Sequence, residues 1–538
     1  MTLLCVPILV RDVAATLRDA VAARDAGADI VEFRVDEAFA GTGAEGESRE
    51  IERMVKESPL PAIVTCRAAS EGGHYDGDDD VRVAMYEHLG TGDGPPRYLD
   101  LELATYERSA NLRQKVHLAI DWPARRRADA PSLILSLHEF RTRPADLSRR
   151  VGRMAAAESA SVVKVAYRAR SVRDNLELLD LIGQTGRPTI ALGMGEFGLM
   201  SRVLAPKFGG FLTFASLRDS SATAPGQPTI AELLDIYRFR AIRRSTRVYG
   251  VIGWPVSHSM SPRVHNAGFD ATRHDGVYVP IPIAVGDDEA ANYAAFKGTV
   301  LELIDHAGLG FSGASVTLPH KENLTRLAKE SGWDMDEASA ATGAANTIVV
   351  NRERGEVGVR VLNTDVSALV SCIEAEGKLR GSRVAVLGAG GVARGAAWGL
   401  ARAGGQVVLF NRDRTRAERS AAAVGLGVGV GEWGGLSSGK FDVFVNCTPV
   451  GMKDGPAPGQ SLIGDDVFRC SGPATVVMDT VYNPARTLLL EAASRAGLRT
   501  VSGVEMFVRQ AAAQFEAWTG REAPVDVFRS VCEAGIGA

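Results

Sequence analysis

Thr223-Ala-Pro-Gly-Gln227 and Tyr249-Gly-Val-Ile-Gly-Trp-Pro-Val-Ser-His-Ser-Met-Ser-Pro262 flank the stretch on which the fold of this chain turns. Before the first, strand-like and helix-like runs alternate without a break; after the second, a new alternation begins. Between them, Thr229 to Arg244 reads as a helical connector, too polar and basic in its second half to be a core helix. Each flank carries the small hydroxyl or amide groups that hold a carboxylate. The stretch therefore divides the chain into two α/β parts, expected to handle related small anions in succession.

Length supports the division, since 538 residues exceed one hydrophobic core and imply roughly two or three domains. A hydrophobic content of 45% with 23% charged residues is that of a soluble globular protein. The formal net charge of -4 argues against a nucleic-acid or acidic-membrane partner, so an anionic substrate must be held by locally placed cations and hydroxyls. Cys5, Cys66, Cys372, Cys447, Cys470 and Cys532 are scattered without a C-x-x-C pair, the usage of a reducing compartment. Leu3 to Val10 reads directly as a strand, with no signal-peptide pattern. No apolar run approaches the ~20 residues that cross a bilayer. A cytoplasmic protein acting on small molecules is expected; the oligomeric state stays open.

Eight short β-rich runs mark the first half: 3–10, 29–36, 61–67, 97–103, 132–140, 161–169, 189–195 and 210–216. Separated by helix-length stretches, they predict a (β/α)8 barrel over residues 1–240, with a doubly wound open sheet as the alternative. Chemistry in a barrel gathers at the C-terminal strand ends. Glu32, Arg34, Arg67, His138 and Lys164 lie at or near those ends, and Asp100 and Glu102 stand ready to join them. Lys164 sits inside Val-Val-Lys-Val-Ala, where desolvation favours the free amine, a nucleophile able to form a Schiff base with a ketone. The alternative is a lysine that snorkels to water or pairs with Glu32. His138, in Leu-Ser-Leu-His-Glu-Phe, suits a general base, or equally a core histidine bonded to a carbonyl.

The order of these residues resembles type I 3-dehydroquinate dehydratase across the whole first half. The resemblance rests on Glu32-Phe-Arg34, Arg67 followed by Glu71-Gly-Gly73, His138, Lys164, Arg202 and Ala-Pro-Gly-Gln227. It implies that Lys164 forms the Schiff base, that His138 removes the adjacent proton, and that Glu71 orients the histidine. It further implies that Glu32 and Arg67 bind ring hydroxyls with Arg34 in support, while Arg202 and Gln227 hold the carboxylate. Thr223 stands where the family has serine, so the hydroxyl survives. Asp78-Asp-Asp80 reads as a solvated acidic loop, and the resemblance implies a metal-free mechanism. Arg125-Arg-Arg127 reads as a solvated helix face.

In the second half, Arg383-Val-Ala-Val-Leu-Gly-Ala-Gly-Gly-Val-Ala-Arg394 is a strand, a glycine turn and a helix start. Gly388 suits the tight turn, and Gly390 and Gly391 let a pyrophosphate approach the helix N-terminus. The next strand, Gln406 to Arg412, ends without the acid that holds a ribose 2′-hydroxyl. Arg412, with Arg414 and Arg416 behind it, favours NADP, while Asp413 inside the cluster keeps NAD open.

Residues 247–362 form a separate α/β unit that resembles the substrate-binding part of shikimate dehydrogenase. The motifs are Ser257-His-Ser-Met-Ser-Pro262, Ser315-Val-Thr-Leu-Pro-His-Lys321, Gly343-Ala-Ala-Asn-Thr347, Asn363-Thr-Asp365, Asn446-Cys-Thr-Pro-Val-Gly-Met452 and Glu505-Met-Phe-Val-Arg-Gln510. The resemblance implies that Ser259 and Ser261 bind a carboxylate and that Thr317, Asn346, Asp365 and Gln510 bind ring hydroxyls. Tyr482 would close the pocket, and Lys321 with Asp365 would supply the proton as hydride reaches the ketone. It also implies that Gly388, Ala389, Gly390, Gly391, Asn411, Arg412, Arg416, Thr448 and Gly503 bind the cofactor. Met260 replaces a usual lysine and Leu362 a usual acid.

The expected architecture is an N-terminal barrel followed by a two-lobed α/β dehydrogenase. Its substrate lobe spans 247–362, completed by C-terminal helices over 505–538, and its Rossmann lobe spans 363–504. The two resemblances fit together, because the product of the first enzyme is the substrate of the second. Two alternatives stand beside this reading. A metabolite-sensing homologue would be expected to lose Lys164, His138, Lys321 and Asp365, which are present. A catabolic quinate/shikimate dehydrogenase would need room for one more hydroxyl near Ser259, Ser261 and Tyr482.

Overall fold

Eight parallel strands build the first part: β1 (Leu3–Leu9), β2 (Ile30–Arg34), β3 (Ala62–Thr65), β4 (Tyr98–Glu102), β5 (Ser132–Glu139), β6 (Ala160–Arg168), β7 (Thr189–Met194) and β8 (Leu212–Phe214). Their order is β7-β6-β5-β4-β3-β2-β1-β8, every pair parallel. The ring closes where the Phe211 N–H, just before β8, donates to the Thr189 carbonyl of β7 at 2.8 Å. The computed structural model describes residues 1–39, 45–124, 126, 129–221, 223–353, 355–453, 455–469 and 471–536. Arg125, Arg127 and Cys470 of the sequence reading lie outside the described residues.

Side chains two apart on a strand share a face, and this period of two layers the barrel. An apolar floor takes one residue from each strand, Cys5, Ile30, Ile63, Tyr98, Ile134, Val162, Ile190 and Leu212, all buried. Two residues further along β2 to β6 come Glu32, Thr65, Asp100, Ser136 and Lys164, so the next layer is polar although equally buried. The floor is thus an ordinary barrel core, and the layer above it is ionic.

The connector differs from the helix expected over Thr229 to Arg244. Glu232–Ile236 winds as one wide π turn and Phe239–Ala241 as a tight 3-10 turn, with Arg238 between them at φ 53°. Ile230, Leu233, Tyr237, Phe239 and Ile242 are all buried. Packing of these apolar positions sets the backbone and overrides helix propensity.

By compactness the chain divides into one unit of Met1–Arg247 with Val279–Ile283 and Asp305–Gly310, and another of the remaining chain. Two six-stranded sheets follow the barrel along the chain. In one, β9 (Arg247–Gly253), β10 (Gly276–Pro282), β11 (Phe311–Val316), β12 (Asp334–Met335), β13 (Thr347–Glu353) and β14 (Glu356–Leu362) take the order β10-β9-β11-β13-β14-β12. β14 pairs antiparallel with β13, a strand the sequence reading passes over. Most of β14 is exposed, so no buried alternation announces it.

The helices Gly503–Thr519 and Val525–Ile536 return to this lobe. Their Val508, Phe515, Trp518 and Phe528 join Tyr249, Phe269, Tyr278 and Val349 in one core. Trp518 Nε1 donates to the Ile348 carbonyl at 2.8 Å, satisfying its only polar group. The other sheet comprises β15 (Arg383–Leu387), β16 (Gln406–Phe410), β17 (Gly429–Val430), β18 (Val443–Asn446), β19 (Val476–Asp479) and β20 (Arg499–Val501). Its parallel order, β17-β16-β15-β18-β19-β20, is doubly wound, and a crevice opens where it reverses between β15 and β18.

In the barrel wall, the helices Asp79–Thr91 and Ala110–Ile120 meet at Gly90, where an added Cβ would overlap the Ala119 carbonyl. Gly90→Ala is expected to destabilise the barrel by about 1–3 kcal/mol, the cost of overpacking against backbone. Denaturant unfolding measures this, and an unchanged midpoint would refute the close approach.

Candidate functional site

The barrel mouth gathers residues from six strands. Lys164 on β6 is buried, and its Nζ donates to Asp100 Oδ2 at 2.7 Å and Glu32 Oε1 at 3.3 Å. The Phe214 ring lies 4.5 Å from the same nitrogen. Pairing with Glu32, one of the two possibilities for this lysine, is therefore present, with Asp100 closer. Burial works against the Asp100 charge, yet Arg67 and Lys164 outweigh it and hold the carboxyl well below its ordinary range. Arg67 donates to Asp100 at 2.7 Å, to Glu102 at 3.0 Å and to Ser136 Oγ at 2.8 Å.

His138 stands two residues beyond Ser136 on β5, and Ser136 is the partner of Lys164 in register. Glu71, in the turn after β3, accepts from the His138 backbone N–H at 2.8 Å and contacts its Nδ1 at 3.1 Å. Burial, with Arg67 and Lys164, holds the imidazole pKa well below its ordinary value, so the ring is a neutral base at pH 7. Burial lifts the Glu71 carboxyl to about 7, against the pull of Arg67.

Arg34 is held by Asp36 through two hydrogen bonds of 2.8 and 3.0 Å. Arg202 is buried and, among the described residues, forms no ion pair; its Nε donates to the Gly193 carbonyl at 3.2 Å. Burial alone lowers its pKa to about 10. The Gln227 Oε1 accepts from Thr223 N–H at 3.0 Å and Thr223 Oγ1 at 3.2 Å. Its Nε2 is buried without a partner among the described residues. Glu32, Arg34, Arg67, Glu71, His138, Lys164, Arg202, Thr223 and Gln227 all line one pocket, joined by Phe140 and Met194, which the sequence reading did not single out. The arrangement can do imine chemistry: a lysine nitrogen, a neutral imidazole beside it, and unmatched donors for an anion.

Each acid of Asp78-Asp-Asp80 has a partner. Asp78 caps the helix that follows, Asp79 pairs with Arg82 and Arg108, and Asp80 pairs with Lys115.

In the second unit, Lys321 opens the helix Lys321–Ser331 and Asp365 lies in the first turn of the helix Thr364–Glu376. Their side chains meet at 2.6 Å, each a quarter exposed. Asn346 Oδ1 accepts from the Thr364 N–H at 2.9 Å and from the Thr347 and Thr364 hydroxyls at 2.8 and 3.1 Å. That fixes its amide nitrogen towards Gln510, at 3.4 Å. The Ser259 hydroxyl accepts from the Ser261 N–H at 3.2 Å, and Tyr482 packs on Phe507 at 5.7 Å between centroids. Ser259, Ser261, Thr317, Lys321, Asn346, Asp365, Tyr482 and Gln510 line a single cleft, together with Thr448 and Gly503. An ammonium held by a carboxylate, facing hydroxyls and amides, can bind a polyol acid and deliver a proton.

Beside it a groove runs over the glycine turn, where Gly388 takes φ 121°. Ala389, Gly390 and Gly391 line this groove, and a Cβ on either of the last two would point into open space. Arg394, Asp413, Arg416, Arg419 and Ser420 complete it, with Glu322. Those residues fit a dinucleotide: bare backbone for a pyrophosphate, arginines for a further phosphate. Arg412 is exposed and outside the lining, while Asn411 Nδ2 donates to the Asp413 carbonyl at 2.9 Å. Arg419 and Arg394 were missed; the signal for Arg419 was its i+3 spacing from Arg416 on the helix Arg414–Val424.

Comparison with known proteins matches both parts. The family model described as type I 3-dehydroquinase covers residues 4–244. Shikimate dehydrogenase substrate binding domain covers 251–348, and shikimate 5′-dehydrogenase C-terminal domain covers 503–533. The chain is 34% identical to the chloroplastic bifunctional 3-dehydroquinate dehydratase/shikimate dehydrogenase of Arabidopsis thaliana, over 98% of this chain and 83% of that one. It is 38% identical to the shikimate dehydrogenase (NADP(+)) of Moorella thermoacetica, over 55% of this chain and 96% of the other. A solved shikimate dehydrogenase in complex with NADP+ is 30% identical, covering 55% of this chain and 97% of its own at TM-score 0.47.

Glu71 carries a pH signature. Its carboxyl ordinarily titrates at 4.5 and in the fold at about 7, so folding favours the protonated form. Stability from this proton is complete below 4.5 and is lost as pH rises through about 7. Glu71→Gln, which cannot ionise, is expected to match the parent midpoint near pH 4.5 and exceed it at about pH 8, by about 1–3 kcal/mol. Denaturant unfolding at both pH values checks the sign; parent-like stability at both would contradict it.

Proposed function

The chain belongs to the family of bifunctional 3-dehydroquinate dehydratases/shikimate dehydrogenases, and from that premise we propose how its residues divide two consecutive reactions. It is an enzyme of two activities: loss of water from 3-dehydroquinate, then NADP-dependent reduction of 3-dehydroshikimate to shikimate. The observation that carries the assignment of the barrel site is the pair of unmatched groups in its pocket. Among the described residues Arg202 has no acid partner and the Gln227 Nε2 has no acceptor. A buried cation and a buried donor left open call for an anion, and the substrate brings a carboxylate.

With the carboxylate so held, the Lys164 amine attacks the ketone carbon. A carbon–nitrogen bond forms and the ketone oxygen leaves as water. The protonated imine withdraws electrons and acidifies the neighbouring C–H, whose proton passes to the neutral His138. The electron pair left on carbon expels the ring hydroxyl, which takes the proton back from His138 and departs as water. Hydrolysis of the imine then frees the product and Lys164. Glu71, bonded to the His138 ring and backbone, orients the base.

In the second site Ser259 and Ser261 take the substrate carboxylate, while Thr317, Asn346, Asp365 and Gln510 take ring hydroxyls under Tyr482. A nicotinamide cofactor held beside this cleft would supply the hydride for the ketone carbon. Lys321 donates the proton to the ketone oxygen, and Asp365 holds that ammonium in place at 2.6 Å. Gly388, Ala389, Gly390 and Gly391 would cradle the pyrophosphate, with Thr448, Gly503 and Asn411 along the remainder. Arg416 would meet the 2′-phosphate, so NADP is preferred to NAD. The substrates are small molecules, and among the described residues no helix is long and apolar enough to cross a membrane. The scattered thiols support a reducing, cytoplasmic setting, and the formal net charge of -4 argues against a nucleic-acid or acidic-membrane partner.

Two outcomes test the division of labour. Lys164→Ala is expected to abolish dehydration and covalent trapping of 3-dehydroquinate by borohydride while sparing reduction of 3-dehydroshikimate; substrate trapped on that variant would exclude Lys164 as the nucleophile. Arg416→Ala is expected to raise KM for NADP by roughly tenfold or more, the loss of one charge-assisted contact, with little change for NAD. Equal effects on both cofactors would remove Arg416 from the 2′-phosphate site.

A further inference from the structure

A residue of β4 contacts the Lys164 nitrogen more closely than any group assigned above. We propose that Asp100 is the resident counter-ion of the Lys164 nitrogen in its charged states, balancing the ammonium before substrate enters and the protonated imine once the bond to carbon has formed. This deepens the dehydratase reading and rests on Lys164 forming the imine.

The geometry separates the two oxygens of this carboxylate. Oδ2 accepts from Lys164 Nζ at 2.7 Å, whereas Oδ1 accepts from Arg67 at 2.7 Å and from Ser136 Oγ at 2.6 Å. The side chain is fully removed from solvent, so water cannot screen its charge. Glu32 is a weaker partner, 3.3 Å from the lysine and engaged with the Thr65 hydroxyl at 2.8 Å. The Phe214 ring shields the same nitrogen, 4.5 Å away.

Charge bookkeeping gives the role. An ammonium and a ketone combine to a protonated imine and one water, so the nitrogen carries a single positive charge on both sides of the step. One fixed negative partner therefore serves both states, and no proton needs to pass to or from it. Arg67 and Ser136 keep Asp100 in place as the lysine head exchanges its protons for a bond to carbon. An uncompensated iminium in this dry layer would be strongly disfavoured.

Asp100→Asn keeps the shape and removes the charge. With 3-dehydroquinate and borohydride, mass spectrometry is expected to show trapping slowed by roughly tenfold or more, the loss of one charge-assisted contact. Trapping by the parent protein is the control for the underlying assignment; if the parent traps nothing, the dehydratase reading itself fails. In a Lys164→Ala background, Asp100→Asn is expected to change calorimetric affinity for 3-dehydroquinate by less than roughly threefold, because the aspartate then has no nitrogen to act through. Parent-like trapping in Asp100→Asn would overturn the proposal. So would an equal loss of affinity in the Lys164→Ala background, which would make Asp100 a packing residue. Should Asp100→Asn fail to fold, Ser136→Ala removes one of the donors that hold Oδ1. It is expected to slow trapping in the same direction by a smaller factor, and parent-like trapping there would equally overturn the proposal.

Discussion

Ions sealed inside a barrel must balance, and the first half of this protein is arranged by that requirement. At the barrel mouth three of the buried cations, Arg67, Arg82 and Lys164, face three of the buried carboxylates, Glu32, Asp100 and Glu102. Each cation touches at least one of those carboxylates within 3.3 Å. Leaving one such charge unmatched in a dry interior costs several kcal/mol, on the order of 3–5 kcal/mol when a partner is removed. Glu71 is a fourth acid at the rim, and burial raises its titration against the pull of Arg67. The balance that lets the layer fold thus also fixes protonation: His138 neutral, Asp100 ionised, Glu71 poised near neutrality. Arg202 stands outside the balance, which is why an anion is the natural occupant beside it.

The second site solves a different problem. Lys321 and Asp365 are a quarter exposed and come from two helix starts, so water and a mobile substrate reach them. The proton-donor role proposed for Lys321, recharged from solvent after each turnover, suits such a place. Rigidity comes instead from neutral groups. The Asn346 carbonyl is saturated by Thr347 and Thr364, and Gln514 Nε2 donates to the Thr347 hydroxyl at 3.0 Å. Preorganisation around Asn346 rests on hydrogen bonds between neutral groups.

What the sequence made legible follows from range. The alternation of strand and helix, the glycine turn after β15, and the order of Glu32, Arg67, His138 and Lys164 are local or ordered signals, and the barrel and the doubly wound sheet follow from them. Partnership across strands is not local. Nothing near Lys164 in sequence names Asp100, 64 residues away, as its nearest acid; strand order and layer decide that. The strand β14 escaped because it is mostly exposed and carries no buried period. The connector escaped because its buried side chains follow the surface they cover, and the backbone departs from helix to suit them.

Asp413 shows how a residue's charge can be misjudged when only its neighbours in sequence are known. Within Arg412-Asp-Arg-Thr-Arg416 an acid reads as repulsion towards a phosphate. In the fold, Asp413 is the N-cap of the helix Arg414–Val424, its Oδ1 accepting the Arg416 N–H at 3.0 Å. A carboxylate so placed is offset by the helix dipole and by orphan N–H groups of the first turn, so its field on the groove is blunted. The arginines around it also divide their tasks. Arg414 pairs with Glu418 and Glu432, and Arg394 pairs with Glu322 at 2.6 Å. Among the described residues Arg416 and Arg419 make no ion pair, and both line the groove. The positive charge available to an incoming phosphate is therefore theirs, one helical turn apart, and the acid between the arginines helps by starting the helix that presents them.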